Sequence, residues 1–342
     1  MDFSIQKINF EMKNFDTLPL YDRLMNKIYA YYQTIWRDKL QQGTDQAEAW
    51  LGNFSDIDQD IQEKEKINML YLLSKFMYFG NEELKQLLIS LYRDLFKYPI
   101  IASIRRTNND TLDDGIIKRE FEKELEASCF LGVGNPSESG VHILYYFRQE
   151  CMLSKKFFIN TSDIFTTDKI TEKLPDNTTR TFLKSEISKK SIRRYIFIDD
   201  FCGSGSQATQ YLKNIVENIK FEDPLIEVNY LMLFGTVYGI NEVRKLKVFN
   251  RVEAVFTIDE TFKTFSPESR YFKNTPDKII DREFAKKTSI KYGKNLCNPP
   301  LGFGNCELLL GLFHNTPDNS LPIFWGELGE WQPIFKRYHK IY

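Results

Sequence analysis

The adjacent acids Asp199-Asp200, followed by Phe201-Cys202-Gly203-Ser204-Gly205-Ser206-Gln207, are the residues of this 342-residue chain whose types and spacing point to chemistry. Glycines let the backbone approach an anion closely. The exposed amides at a helix start point at that anion, and the helix dipole favours its charge. The two carboxylates cannot hold the anion themselves. At the end of a strand they suit the sugar hydroxyls, or a hydrated divalent cation, of the same ligand. The stretch therefore reads as a ribose-phosphate site, with Gly203, Ser204, Gly205, Ser206 and Gln207 on the phosphate and Asp199 and Asp200 on the sugar. That reading needs both acids to face a ligand and the loop to stay open. Carboxylates turned into the packed interior, or a loop filled by the chain's own side chains, would overturn it.

The elements that must position these residues follow from hydrophobic patterning. Tyr195 to Ile198 reads as a strand buried on both faces, and Ala208-Thr209-Gln210-Tyr211-Leu212 starts a helical pattern. Val228 to Phe234 and Val252 to Ile258 read as further buried strands, the first followed by Gly235-Thr236 and the second by Asp259-Glu260. Upstream, a Gly/Ser loop from Gly132 to Gly140, either a second phosphate contact or an ordinary turn, precedes an expected strand at Val141 to Phe147, and Phe157 to Asn160 reads as another. Strands alternating with helical segments predict an α/β fold with a parallel sheet flanked by helices. Ligands of such sheets collect beyond the carboxyl ends of the strands, so Arg148, placed directly after Val141 to Phe147, is the candidate partner for a pyrophosphate. Residues Thr161 to Lys190 are polar, with Pro175-Asp176-Asn177 in the middle, and read as a long mobile excursion of the kind that forms lids. Lys189, Lys190, Arg193 and Arg194 make its end basic, which suits either guidance of an anion or plain solvation.

An apolar strand, two adjacent acids, two spacer residues and a short Gly/Ser loop opening a helix resemble the signature of type I phosphoribosyltransferases. The resemblance implies that Asp199 and Asp200 hold the ribose 2′- and 3′-hydroxyls of phosphoribosyl pyrophosphate (PRPP), carried with Mg²⁺, and that Gly203 to Gln207 bind its 5′-phosphate. It also implies a flexible loop closing over the ligand and, in an active enzyme, substitution at ribose C1 with Arg148 stabilising the departing pyrophosphate. The N-terminal helices, the acid pair ending in Gly-Ser-Gly and the stretch His314-Asn315-Thr316-Pro317-Asp318-Asn319-Ser320-Leu321-Pro322-Ile323-Phe324-Trp325 resemble a divergent branch, the phosphoribosyltransferase-like proteins of bacterial conflict and antiphage loci. That branch implies an effector or sensor in antiphage defence, with a protein or nucleic-acid component of the same locus as partner. Its terminal motifs would form a hood in which Phe303, Trp325 or Trp331 stacks on a heterocycle.

Other readings stand beside this one. Gly203, Gly205 and Ala208 match the dinucleotide fingerprint, but Val228 to Phe234 ends in Gly235-Thr236 where that fold places a ribose-binding acid. Asp199 to Ser206 also resembles the methyl-donor loop D-P-F-C-G-S-G-T of nucleic-acid amino-methyltransferases, and Asn298-Pro299-Pro300-Leu301 resembles their N-P-P-aromatic motif; that alternative implies S-adenosylmethionine. A third reading is a nucleotide-binding module without turnover, since Gly203 stands where purine-salvage phosphoribosyltransferases carry an aspartate.

Composition bounds all of these. With 42% hydrophobic and 15% aromatic residues the chain can bury a large core, and its net charge of −1 excludes a generally basic nucleic-acid binder. Five cysteines without a C-x-x-C pair suggest reduced thiols and no structural zinc. No apolar run reaches the length of a membrane span, and Met1-Asp2-Phe3-Ser4 opens no signal sequence, so the expectation is a soluble cytoplasmic protein. Residues 1–115 read as a helical N-terminal region and 116–342 as the α/β domain, with the hood from about residue 262 onward. Stripes at Leu24, Ile28, Tyr31, Ile35 and at Leu84, Leu88, Leu91, Leu95 carry the helical reading, with Pro99 expected to break the second. Asp56, Asp58 and Asp60 alternate like a calcium loop, but Ile61 and Ile67 occupy the positions that need Gly and Glu.

Overall fold

The structure, a computed structural model, describes residues 18–36, 44–135, 138–173 and 178–338. The sequence readings of Met1 to Ser4, of Pro136 and Ser137, and of Pro175-Asp176-Asn177 fall outside those residues. The chain forms two compact units, Lys85–Ile258 and a second built from both ends, Met1–Leu84 with Asp259–Tyr342. These boundaries cut the chain at other points than the sequence-based division at residue 115.

Eight strands occur among the described residues: β1 (Met77–Phe79), β2 (Ser128–Gly132), β3 (Phe165–Lys173), β4 (Thr179–Ile187), β5 (Arg194–Cys202), β6 (Glu227–Thr236), β7 (Arg251–Ile258) and β8 (Leu310–Leu312). In the unit Lys85–Ile258, four of them form a wholly parallel sheet in the order β2-β5-β6-β7. Parallel neighbours need a crossover, and the helices Ser206–Glu222 and Val237–Lys245 supply it from β5 to β6 and from β6 to β7. The fold is thus α/β, with a parallel central sheet flanked by helices.

Alternation along the strands assigns the two faces. Tyr195, Phe197, Val228, Tyr230 and Met232 pack with Ala208, Leu212, Val216, Ile240 and Val243 of the two crossover helices. On the opposite face Phe130 of β2 meets Phe96 and Phe147, with ring centroids 5.0 and 5.2 Å away. Both faces are therefore covered, which is why these strands read as continuous apolar runs. At the amino end of β5, Arg194 pairs with Glu227 at 2.6 Å and Glu124 at 3.2 Å. This clamp lies at the end of the strand away from the Gly/Ser loop, so Arg194 does not guide an anion into it.

Several expectations are corrected. Val141 to Phe147 is not a strand but the middle of the helix Ser139–Glu150. Its β-branched and aromatic residues suit a strand, but Ile143 and Phe147 are buried four apart while His142 and Tyr145 are exposed, so contact with the sheet overrides local preference. The sheet partner of β5 on that side is instead β2, all five of whose residues are buried. Phe157 to Asn160 contributes one isolated bridge, Phe130 to Phe158, after a short 3₁₀ turn. The polar excursion is an antiparallel ribbon, β3 with β4, paired from Phe165 opposite Ile187 to Lys173 opposite Thr179. Pro99 does not break the helical run: a π-helical turn at Leu91–Lys97 runs straight into the helix Tyr98–Thr107, and the Leu95 carbonyl, which an N–H at position 99 would bond, accepts from Arg251 Nη1 at 2.7 Å instead.

In the other unit, β1 pairs in parallel with β8, bringing the two chain ends together. Trp50 is fully buried, stacks on Phe324 at 5.2 Å and donates its indole N–H to Ile323 O at 2.7 Å. Asn68 clamps the segment before the helix Arg282–Gly293, donating to Ile279 O and accepting from Asp281 N, both at 2.9 Å. Asp58 caps the helix Gln59–Leu73 through Asp60 N and Ile61 N, and Asp56 pairs with Lys291 at 2.6 Å. That acidic run is a helix start. Trp50→Ala is expected to cost this unit about 3–5 kcal/mol, through lost burial and an unfilled cavity. Urea unfolding followed by tryptophan fluorescence checks it, as a midpoint shifted to lower denaturant.

Candidate functional site

The Gly/Ser loop begins where β5 ends. That strand is longer than its apolar core: pairing with β6 continues through Phe201 opposite Phe234 and Cys202 opposite Gly235. Asp199 and Asp200 consequently lie inside the strand, close to its carboxyl end. Asp199 is 3% exposed and accepts from the Tyr230 hydroxyl at 2.7 Å and from Asp200 N at 2.9 Å. Asp200, 7% exposed, accepts from the Ser139 hydroxyl at 2.9 Å, on the face covered by the helix Ser139–Glu150. The two carboxyls stay side by side near the end of the strand: Asp199 is hydrogen-bonded to Asp200, Ser139 holds Asp200, and Asp199 Oδ1 lies by Gly140, whose Cβ would fall 3.2 Å from it.

Burial pushes the Asp199 carboxyl well above the usual carboxylate range, the charge of Asp200 adds to that, and the Tyr230 hydroxyl opposes it. The same burial, with Asp199 beside it, raises Tyr230. Cys202 completes this buried group, its thiol pushed up to about 12 by burial and then by Asp199, while Gly205 N–H points at its sulfur. It is a packing thiol under the loop, not a nucleophile.

Above this group the loop itself is built as a cradle. Thr236 donates its hydroxyl to Gly203 O and accepts from Gly239 N at 2.8 Å, so the start of the next helix holds the loop from behind. In a planar trans peptide the following N–H points the opposite way, so Ser204 N–H faces away from Thr236. Gly205 adopts φ +75°, and a Cβ there would sit 2.8 Å from Gly239 O. Gly205 O accepts the first intrahelical bond, from Thr209 N at 2.9 Å, leaving the amides of Gln207 and Ala208 ahead of it at the helix start, while Ser206 N–H donates to Ser204 Oγ at 3.3 Å. The Ser204 and Ser206 hydroxyls lie 2.7 Å apart over that start, and Gln207 Nε2 donates to Glu138 Oε2 at 2.8 Å.

The other predicted residues are placed as follows. Arg148 lies in the last turn of the helix that begins at Ser139, about 14 Å along its axis, so the fold does not bring it to the acids. Its guanidinium lies 5.8 Å from the Tyr145 ring centroid. Trp325 is 3% exposed, donates to Ser320 O at 2.8 Å and is part of its own unit's core, not a stacking surface. Trp331 packs on Phe54 and Tyr292, and Phe303 is exposed. Asn298-Pro299-Pro300-Leu301 lies in an irregular segment after the helix Arg282–Gly293, not on the strand a methyltransferase motif needs, and the Asn298–Pro299 peptide is cis. Sequence reasoning marked the loop that holds Glu138 and Ser139 as a candidate second phosphate contact without giving either residue a role, and it missed Tyr230. A signal for Tyr230 was there: a tyrosine in the mostly apolar run Val228 to Phe234 needs a buried partner for its hydroxyl.

Among the described residues no cluster of His, Cys, Asp and Glu is placed to hold a metal ion, and no helix is long and apolar enough to cross a membrane. With the Asp199 oxygens engaged by Tyr230 and by Asp200 N, these donors suit an ion brought in by a ligand's phosphates better than one held by the protein alone.

Asp199 makes stability pH-dependent in an unusual direction. Its folded pKa is raised above the unfolded value of about 3.9, so its contribution is fully present below that pH and is lost as pH rises through the folded pKa. Asp199→Asn removes the ionisation, so urea unfolding across about pH 5 to 8 should show a flatter decline for the variant than for the parent. Parallel slopes would show that Asp199 titrates normally.

Comparisons with known proteins now bear on the site. A sequence profile of the PRTase-CE family matches residues 47–337. No curated protein matches the chain. Among solved structures, Helicobacter pylori xanthine-guanine-hypoxanthine phosphoribosyltransferase is 9% identical, with 53% of this chain and 85% of that one covered at a TM-score of 0.27. A hypothetical protein from Neisseria gonorrhoeae with bound ppGpp is 10% identical, with 54% and 85% covered at a TM-score of 0.26. Overlays that loose carry no weight for ligand or fold, which rests on the strand order above. The profile match spans most of the sequence, including the acid pair, the Gly/Ser loop and part of each segment of the second unit: the chain belongs to the PRTase-CE family, which is phosphoribosyltransferase-like.

Proposed function

We propose that this protein binds the phosphate of PRPP or of a nucleoside phosphate in the cradle Gly203–Gln207, and that it works as a ligand-binding module, not as an efficient transferase. The observation that carries this is the loop pinned from behind by Thr236, with Gly205 in a left-handed turn and the first amides of the helix Ser206–Glu222 ahead of it. A phosphate there accepts from backbone N–H groups and from the Ser204 and Ser206 hydroxyls, and gains from the helix dipole. Asp200, beside Ser139, is the acid assigned to the sugar. Asp199 supports it from below, and its raised pKa increases the neutral fraction, which lessens negative charge under an anion site. Any Mg²⁺ arrives on the ligand's phosphates. Turnover at ribose C1 is disfavoured by the position of Arg148, which leaves departing pyrophosphate without its assigned cation. Family membership supports the ribose-phosphate class. Resemblance of His314 to Trp325 supports an antiphage setting, with a component of the same locus as partner.

Calorimetry with PRPP and Mg²⁺, with ribose 5-phosphate and with S-adenosylmethionine separates the readings. The expected result is heat from the first two and none from the third, with Ser204→Glu weakening both phosphate ligands by about tenfold or more through like-charge repulsion. Binding of S-adenosylmethionine alone would restore the methyltransferase reading. In the antiphage setting, cells carrying Ser204→Glu should lose protection in a plaque assay.

A further inference from the structure

One residue assigned to the cradle, Gln207, already holds an anion of the chain's own. Glu138 precedes the helix Ser139–Glu150, and its Oε2 accepts from Gln207 Nε2 at 2.8 Å, at the first turn of the helix that follows the loop. The carboxylate lies in a notch over Gly134. That residue has φ +100°, and a Cβ on it would fall 1.9 Å from Glu138 Oε2 and 2.9 Å from Glu138 Cδ. Only glycine leaves room for the side chain in this position. Although Glu138 stands at the N-cap position, its side chain makes no capping bond. The contact therefore joins the loop after β2 to the start of the helix after β5, and nothing in the helix start requires it.

From this we propose that Glu138 is a latch: its carboxylate stands in for a ligand's phosphate beside the cradle, and an incoming phosphate must displace it. The proposal rests on the phosphate-binding reading of Gly203–Gln207 and adds to it a selectivity element. A carboxylate within a few ångströms of a bound phosphate repels it. The same Gln207 amide that holds the latch is then released to the ligand, so latch and phosphate compete for one donor. The latch sets a threshold, keeping the cradle shut against dilute inorganic phosphate and opening for ligands whose sugar adds contacts to Asp200 and Ser139.

The test is titration of the full chain with ribose 5-phosphate and separately with inorganic phosphate. Glu138→Ala and Glu138→Gln should each bind ribose 5-phosphate about tenfold more tightly than the parent, with the gain shrinking as salt is raised. Inorganic phosphate should gain by at least the same factor. Because the side chain caps nothing, both variants are expected to fold, and circular dichroism checks this; Glu138→Gln preserves the shape if Glu138→Ala does not fold. Unchanged or weaker binding of ribose 5-phosphate in the folded variants, with the parent binding normally, would overturn the latch alone. Absence of binding in the parent and in both variants would overturn the phosphate reading and the latch with it.

Discussion

The burial of two adjacent carboxyls near the end of a strand is the constraint on which the site depends. Because β5 runs on to Cys202, Asp199 and Asp200 are enclosed side by side, with a hydrogen bond between them. Tyr230 holds the first and Ser139 the second. Each then needs its own partner, since a buried carboxylate without hydrogen bonds is costly. The pair ties β5 to Tyr230 of β6 and to the helix start at Ser139, and the Gly/Ser loop follows directly on that base.

The loop's own geometry is the second layer. Thr236 takes the carbonyl that would otherwise face the anion, and Gly239 has no side chain because a Cβ would meet Gly203 O at 2.3 Å. Close backbone approach between the loop and the next helix thus turns the amides outward. A similar approach recurs at Gly132 and Gly140, where a Cβ would meet Gly140 O at 2.6 Å or Val133 O at 2.4 Å. The helix that delivers Ser139 and Glu138 lies tight against the end of β2 for that reason.

The second unit shows how a C-terminal tail rich in proline becomes ordered. Residues after Ser266 look irregular in sequence, and much of that stretch is. Its order comes from specific contacts with the N-terminal helices: the amide clamp of Asn68, the stack of Trp50 on Phe324, and the ion pairs of Lys291 with Asp56 and the buried Glu65. The motif from His314 to Trp325 spends its polar groups inside this unit, with Ser320 Oγ donating to Leu310 O and Trp325 donating to Ser320 O. These residues build the unit's core.

The sequence by itself determined the strands at Tyr195–Ile198, Val228–Phe234 and Val252–Ile258, the loop between strand and helix, and the α/β class. Each is a local pattern, a run of apolar residues bounded by turn formers, and burial on both faces of a parallel sheet leaves that pattern intact. The tertiary structure alone decided that Val141 to Phe147 would coil and that Ser128 to Gly132 would pair with β5. It also decided that β5 would continue through both acids and that Glu138 would meet Gln207. In each case the outcome depends on a partner far along the chain: a sheet face for Phe147, a ladder for Cys202, a hydroxyl for Asp199. Such partners leave no periodic trace near the residue they hold.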